Sequence, residues 1–487
     1  MNGLVLNLGL KGIRVIIFDG KGNILSSAYK RINTYLNKNF VEQDPHEWWD
    51  KGLACIKEAL KTVKNIDFIT VTASSACLIS VDEKGECLIR SIMVSDKRAI
   101  KEAEEIGKLS SFHGLPYRSD TMFMIPKILW VKRNMPEIYD KTYKFLSPND
   151  FFIHKMTNQF VIDELNATKY FTKNNSYPKN LLKELNIDVN LLPEIKNTGF
   201  LINLSEDFME ELNLEKKIPV VITTYDAICS LFGVSTNKEG EACDMSGTVI
   251  SLRTLTDKNI IPNETRIFSQ RLFNKNIVGG SNNLGGGLIE WLLQIFYLEG
   301  SYDELEALKN RFSAVTGLIF LPYLMGERAP IWDSEVRGAF LGIERFHTKD
   351  DLARAVLESV AYLLKSILEV IEENGIKVST IYVSGGLSKI NLVNQIKADV
   401  TGKNIYKVKE IESTALGAYL LARHTLDKDF NPKDFIEVEK IYTPDTSKKE
   451  VYSRSYKLFK IAYEGLKDFH KKREESLTCK EIERGNL

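Results

Sequence analysis

An α/β protein built from two similar domains is predicted by three features of the sequence. Strand and helix patterns alternate along its length. A strand, a glycine turn and a second strand open the chain at Leu4–Leu8, Gly9–Gly12 and Ile13–Phe18, and the same unit returns at Glu241–Met245, Ser246-Gly247-Thr248 and Val249–Leu252. With 487 residues, the chain has room for two large domains or three small ones.

The elements follow in order. After the turn Asp19–Asn23, Ile24–Tyr29 reads as a third strand. A helix should begin at Pro45 with Asp44 as its N-cap, carrying Trp48, Trp49, Leu53, Ile56 and Leu60 at helical spacing. Phe68–Thr72 reads as a strand, and helices are expected from Ala99 to Met156. Ile218–Ile222 is a buried strand that runs directly into a helix, with Asp226 at the junction. Beyond a boundary placed near Lys238–Gly240 come a glycine-rich stretch from Gly279 to Gly287, helices at Leu288–Tyr297 and Lys349–Asn374, and strand Ile381–Ser384 entering Gly385-Gly386. From Thr446 the chain reads as a charged helix whose apolar stripe is Tyr456, Phe459, Tyr463 and Leu466. The expected domains are therefore 1–238, 239–445 and a helical tail, 446–487.

Composition narrows the function. Lys and Arg number 65 against 65 Asp and Glu, and zero net charge argues against a nucleic-acid binder. The six cysteines are scattered without zinc-ligand spacing and read as buried thiols of a reducing compartment. No apolar run approaches the roughly 18 residues of a membrane span, and Met1–Leu6 reads as a strand. A cytoplasmic enzyme of small molecules is the expectation.

Glycine turns follow predicted strands at Gly9–Gly12, Ser246–Thr248 and Ser384–Gly386. Each fits an ordinary turn; three together, two of them at matched places, also fit a phosphate cradle. Asp226 fits both an N-cap and a general base for a hydroxyl nucleophile. Asp96 and Arg98 fit a surface ion pair or a polyol contact. Pro322–Pro330 reads as a fixed loop bordering a site.

Two motifs then resemble a known family. Gly338-Ala339-Phe340-Leu341-Gly342-Ile343, with Asp351-Leu352 and Ala355-Val356-Leu357-Glu358, is similar to the C-terminal signature of FGGY carbohydrate kinases. Lys127–Asn134 is similar to their N-terminal signature, departing at Met124, where Pro, Ser or Thr is usual. Pro322–Pro330 resembles the xylulokinase and gluconokinase branch. The resemblance implies two actin/hexokinase/Hsp70-like (ribonuclease H-like) domains around a central cleft, and transfer of the ATP γ-phosphate to a hydroxyl of a small sugar, sugar acid or polyol. It implies Asp226 as the catalytic base; Gly9, Lys11, Gly247, Thr248, Gly286, Gly385 and Gly386 at the nucleotide, with Glu412–Ala418 completing that region; and Ser75, Asp96, Arg98 and Asp226 at the sugar. It also implies Mg²⁺ near Asn7 through water, and a homodimer.

Two segments depart from the family pattern. The first phosphate motif, Asp-x-Gly-Thr-Thr/Ser in the family, is Asn7-Leu8-Gly9-Leu10-Lys11, so a metal-facing carboxylate is an amide and a hydroxyl donor is lost. Lys11 supplies a compensating cation. Thr72–Cys77 carries neither the Arg-Glu of glycerol kinases nor the Met-His of xylulokinases. The alternative these departures raise is a catalytically impaired protein that binds sugar or nucleotide in a regulatory role.

Overall fold

Leu4, Val5, Leu6 and Leu8 are apolar on both alternating faces, a pattern that a strand satisfies only when it is covered above and below. They form a central strand of the first of the two large sheets. The computed structural model describes residues 1–234, 238–247, 249–258, 266–272, 274–297, 301–409, 412–427 and 429–484. It divides into two units: Met1–Gly233 with Ile411–Phe435, and Val234–Glu410 with Ile436–Leu487.

The first unit is built on β1 (Gly3–Leu8), β2 (Gly12–Phe18), β3 (Ile24–Arg31), β4 (Phe68–Ala73), β5 (Leu201–Asn203) and β6 (Pro219–Val221), in the order β5-β6-β4-β1-β2-β3. β1 pairs antiparallel with β2 and parallel with β4, and β4 pairs parallel with β6. Helix α1 (Pro45–Thr62) covers β2 and β3 with Trp48, Cys55, Ile56 and Ala59. Its start is the expected one: Pro45 stands in the first turn, and the Asp44 carboxylate accepts the His46 N–H at 2.9 Å.

Helices dominate 99–156 as expected, with one short strand among them. Helices occupy Ile100–Lys108, α2 (Met124–Asn134), Pro136–Lys141 and Pro148–Thr157, but Lys144–Leu146 is a strand paired with Ile79–Val81. Three residues are too few for alternation to register against helical neighbours. At the other end of the unit, α3 (Asp226–Gly233) follows β6.

The second unit repeats the plan with β7 (Glu241–Ser246), β8 (Ile250–Thr256), β9 (Phe268–Leu272), β10 (Lys275–Ser281), β11 (Thr380–Ser384), β12 (Asn404–Val408) and β13 (Val438–Tyr442). The order is β9-β10-β8-β7-β11-β12-β13. Again the central strand, β7, pairs antiparallel with the next strand, β8, and parallel with the later β11. Gly279 and Gly280, at the start of the glycine-rich stretch, lie within β10. A Cβ on Gly280 would come within 2.8 Å of the Ala329 methyl, so close packing explains this glycine.

The longer helices that follow α3 are α4 (Gly286–Phe296), α5 (Lys349–Glu373), α6 (Asn391–Thr401), α7 (Ser413–Leu426) and α8 (Lys449–Arg484). Almost the whole of α5 from Ala353 to Leu364 is buried in the second core. Tyr452, Tyr456, Phe459 and Tyr463 of α8 join that core, so the tail packs back on the second unit.

Within the expected second domain, 239–445, the segment 411–435, including Glu412–Ala418, groups with the first unit. The reason is α7. Its Tyr419 lies against Phe68 and Phe18, with ring centroids 5.6 and 5.3 Å apart, and donates its hydroxyl to the Asp19 carbonyl at 2.7 Å. Where α7 crosses α3, the glycines Gly233 and Gly417 let the two backbones touch. A Cβ on Gly417 would overlap the Cys229 carbonyl, and one on Gly233 the Ser413 carbonyl. Cys55, Cys77, Cys87, Cys229 and Cys243 are unpaired thiols. Among the described residues no helix is long and apolar enough to cross a membrane.

Candidate active site

β7 and β11 are parallel neighbours, with Met245 opposite Ser384, so the chain leaves both strands at the same edge of the second sheet. Strand C-terminal edges are where α/β sheets usually receive ligands. Four of the expected nucleotide glycines lie there. Gly286, the first residue of α4, donates its N–H to the Gly247 carbonyl at 2.6 Å. Gly385 has φ +91°, and a Cβ on it would lie 2.7 Å from the Ser246 carbonyl oxygen and 3.3 Å from the Gly247 nitrogen. Among the described residues, nothing beyond the chain neighbours lies within 4 Å of where a Cβ on Gly247 or Gly386 would stand. The result is bare backbone at a helix start, a setting that suits phosphate oxygens. Thr248 lies outside the described residues.

The segment before α4 is held by side chains that the sequence reading passed over. Asn282, fully buried, accepts the Ile250 N–H at 2.7 Å and donates to the Leu284 carbonyl at 3.0 Å. One Glu327 oxygen accepts the N–H groups of Asn283 and Arg328 at 2.8 and 2.7 Å. The Arg328 guanidinium donates to the Asn282 carbonyl. The loop Pro322–Pro330 therefore braces Asn282 and Asn283, in the segment that leads into α4.

Burial pushes the Glu327 carboxyl up to about 7, against the lowering effect of the two N–H groups and Arg328. A raised carboxyl holds its proton in the folded chain while the unfolded chain has lost it. Its contribution is complete at low pH and disappears as pH rises through about 7. Glu327→Gln keeps the accepting oxygen and removes the titration. Its melting temperature relative to the parent should therefore be higher at pH 8 than at pH 5, by a few degrees. A difference that stays flat with pH removes Glu327 from this role.

In the first unit the parallel strands β1, β4 and β6 share a C-terminal edge, which delivers Gly9, Ser74 and Asp226. The Ser74 N–H donates to the Leu8 carbonyl at 3.2 Å, and its hydroxyl donates to Asp226 Oδ2 at 3.3 Å. Asp226 is the first residue of α3, not its N-cap. The Tyr225 carbonyl accepts the Ile228 and Cys229 N–H groups, while Asp226 Oδ1 accepts the Ala227 N–H at 2.6 Å.

The other expected residues fall less simply. Ser75 is half-buried, and its neighbour Ser74 is the one that reaches Asp226. Asp96 and Arg98 are neither a surface pair nor an open polyol contact. Asp96 accepts from Arg98 Nε and Nη2 at 2.9 and 2.8 Å and from the Val41 N–H at 2.6 Å. Arg98 also donates to Glu42 at 2.6 Å and lies over the Phe40 ring at 3.9 Å. Asp96 and Arg98 are buried together as a clamp between two chain segments, their hydrogen-bonding groups turned toward each other. Gly9 closes a turn through its N–H to the Gly12 carbonyl at 3.0 Å, leaving Lys11 exposed at the tip. Asn7 sits half-buried in register between Thr72 and Arg14.

Lys127 is a further residue whose role the sequence reading passed over. Fully buried in α2, it donates to the Ala76 carbonyl at 2.5 Å and the Met93 carbonyl at 2.9 Å. Ala76 has φ +58°, so the lysine steadies a strained bend two residues after Ser74. Burial lowers its ammonium to about 8. The available signal was a lysine among the apolar residues Met124, Ile128 and Val131 of one helix.

Two family profiles match the chain: the N-terminal domain of the FGGY family of carbohydrate kinases over residues 3–233, and its C-terminal domain over 251–426. The chain belongs to the FGGY family of carbohydrate kinases. The kinase is 27% identical to a xylulose kinase of Staphylococcus epidermidis, across 95% of this chain and 97% of the relative. It is 26% identical to a gluconokinase of Bacillus subtilis, across 87% and 88%. A ligand-bound xylulose kinase from Lactobacillus acidophilus superposes with a TM-score of 0.90 at 25% identity, covering 97% of this chain and 99% of that one. A gluconate kinase from the same organism gives 0.88 at 25% identity, over 96% and 98%. These likenesses bear out the two-domain actin-like fold. They leave the alternative of a catalytically impaired binding protein without support. Like its family, the kinase uses ATP to phosphorylate a sugar hydroxyl.

Proposed function

We propose that this kinase acts on a terminal hydroxyl of a ketopentose, ketohexose, sugar acid or polyol, with Asp226 as general base. The observation that supports this reading is the Ser74 hydroxyl on the Asp226 carboxylate at 3.3 Å, at the strand edge that also carries the Gly9 turn. Asp226 takes the proton of the sugar hydroxyl; that oxygen bonds to the γ-phosphorus as the bond to the β-γ bridging oxygen breaks, and ADP leaves. Gly247, Gly385 and Gly386 receive the ATP phosphates on backbone N–H groups, Gly286 allows the phosphates to approach the start of α4 closely, and Lys11 is an added cation. Ser74 and Ser75 meet sugar hydroxyls, each of which needs a partner once buried. Asp96 and Arg98 support that region by fixing the chain around Val41 and Glu42.

Among the described residues no three His, Cys, Asp or Glu side chains gather as a metal cage. Such a sparse set fits Mg²⁺, which takes most of its ligands from phosphate and water. Asp226 and the Asn7 amide, through water, are the donors this chain would offer, and the ion would neutralise phosphate charge. The same reading makes the kinase a cytoplasmic homodimer that binds no nucleic acid; zero net charge and free thiols support the first and last of these.

The test is ADP release across ketoses, aldonates, polyols and glycerol, with and without Mg²⁺. Mg²⁺-dependent turnover of one of the first three classes, and none of glycerol, is expected; no ADP release from any of them overturns the reading. Asn7→Asp should change the rate less than about tenfold. A gain of about 10²–10³, the worth of one preorganised electrostatic group, would show instead that the metal side limits the natural enzyme.

A further inference from the structure

Directly before the Gly247 turn lies a charged cluster to which the catalytic reading assigns no role. Asp244, Ser246 and Lys397 are all fully buried. The Lys397 ammonium, on α6, donates to Asp244 Oδ2 at 2.6 Å and to the Ser246 hydroxyl at 2.9 Å. The Ser246 hydroxyl in turn donates to Asp244 Oδ1 at 2.6 Å. The three side chains close a ring of hydrogen bonds one residue before Gly247.

A buried ion pair is a poor means of stabilising a core, because desolvating both charges offsets most of their attraction. What it supplies is direction. Apolar packing would leave the end of β7 free to rotate by small amounts, whereas three charge-assisted bonds fix the Ser246 side chain and the peptide that follows. One helix turn earlier on α6, Asn394 donates to the Ser388 carbonyl at 2.7 Å. Ser388 bonds back through both its N–H and its hydroxyl to the Gly385 carbonyl, at 3.1 and 2.7 Å. Helix α6 therefore grips both glycine turns, the Ser246-Gly247 turn through Lys397 and the Gly385-Gly386 turn through Asn394.

We propose that Lys397, paired with Asp244, is a positioning residue for the nucleotide: it ties the Ser246-Gly247 turn to α6 so that the two glycine turns keep a fixed spacing for a nucleoside di- or triphosphate. This rests on the reading of the glycine cluster as the phosphate site. The strut touches no substrate and carries no net charge, so its effect is on geometry and not on long-range attraction.

The experiment compares ADP affinity, measured by calorimetry, with folding, measured by thermal melts. Lys397→Met leaves Asp244 buried without its cation and should destabilise the chain. The double variant Lys397→Met with Asp244→Leu removes both charges at similar volume and should melt within a few degrees of the parent. That double variant should nevertheless bind ADP at least tenfold more weakly, with the KM for the sugar changed less than twofold. Ser246→Ala, which opens the ring without stranding a charge on its own, should weaken ADP three- to tenfold. A folded double variant with ADP affinity within twofold of the parent overturns the proposal, and the pair is then a structural contact only. Gly386→Val separates the two levels of the argument. If it leaves ADP binding unchanged, the glycine cluster is not the phosphate site; if it abolishes binding while the double variant does not, the site stands and the strut fails.

Discussion

Asp226→Asn is expected to lower turnover by about 10²–10⁴-fold, the usual contribution of a positioned general base, while sugar affinity changes little. The amide keeps the shape of the side chain, and its oxygen can still accept the Ala227 N–H that Oδ1 holds at 2.6 Å. Helix α3 therefore starts as before, and the fold has no reason to change. What is lost is the ability to accept a proton from the acceptor hydroxyl as its oxygen closes on phosphorus. Steady-state kcat, read beside calorimetric sugar binding, separates this outcome from general damage. An unchanged kcat would remove Asp226 from the chemistry. Loss of sugar binding together with rate would make it a binding group instead. Ser74→Ala, which removes the hydroxyl 3.3 Å from Oδ2, should give a smaller fall, because one neutral hydrogen bond contributes only about 1 kcal/mol.

The second large effect is on stability. Gly417→Ala adds a single methyl group where α7 crosses α3, and the atom it meets is the Cys229 carbonyl. A flexible side chain could turn aside; a helical backbone oxygen can move only if the helices separate. Overpacking typically costs about 1–3 kcal/mol and more where the obstacle is rigid, so a melting temperature lower by several degrees is expected. Because α3 begins with Asp226, the folded fraction should lose activity too. Gly465→Ala on the exposed face of α8, where among the described residues nothing lies within 4 Å of the added Cβ, is the matched control. It should stabilise the helix by up to about 1 kcal/mol, the propensity difference between the two residues. Equal melting temperatures for the two variants would show that the crossing tolerates separation.

How much of this could be read in advance depended on whether a signal was local. The strand from Leu4 to Leu8 announced itself by unbroken apolarity, and α1 by Asp44, Pro45 and its tryptophans. Asp226 stood out because a buried strand ran straight into a helix, though it proves to be the first helical residue and not the N-cap. Partnerships across the chain left no trace. Lys397 and Asp244 belong to a distant helix and strand, and neither residue signals its partner. Glu327 looked like one polar residue of a loop, with nothing to show that it would hold the Asn283 N–H. Asp96 and Arg98 had the right chemistry for a sugar, and only the side-chain geometry shows that they bind each other. The path of α7 was equally hidden, because an apolar helix face does not say which sheet it will cover.

That path bears on how the molecule is made. A nascent chain released as far as Gly233 holds every strand of the first sheet but lacks Ser413–Leu426, the segment that seals Phe18, Phe68 and the glycine face of α3. At translation rates of about 5–20 residues per second, that seam stays open for tens of seconds while the second lobe is synthesised. Early termination anywhere in that interval yields a sticky intermediate, and a gene fragment cut at the apparent boundary is expected to need a chaperone to stay in solution.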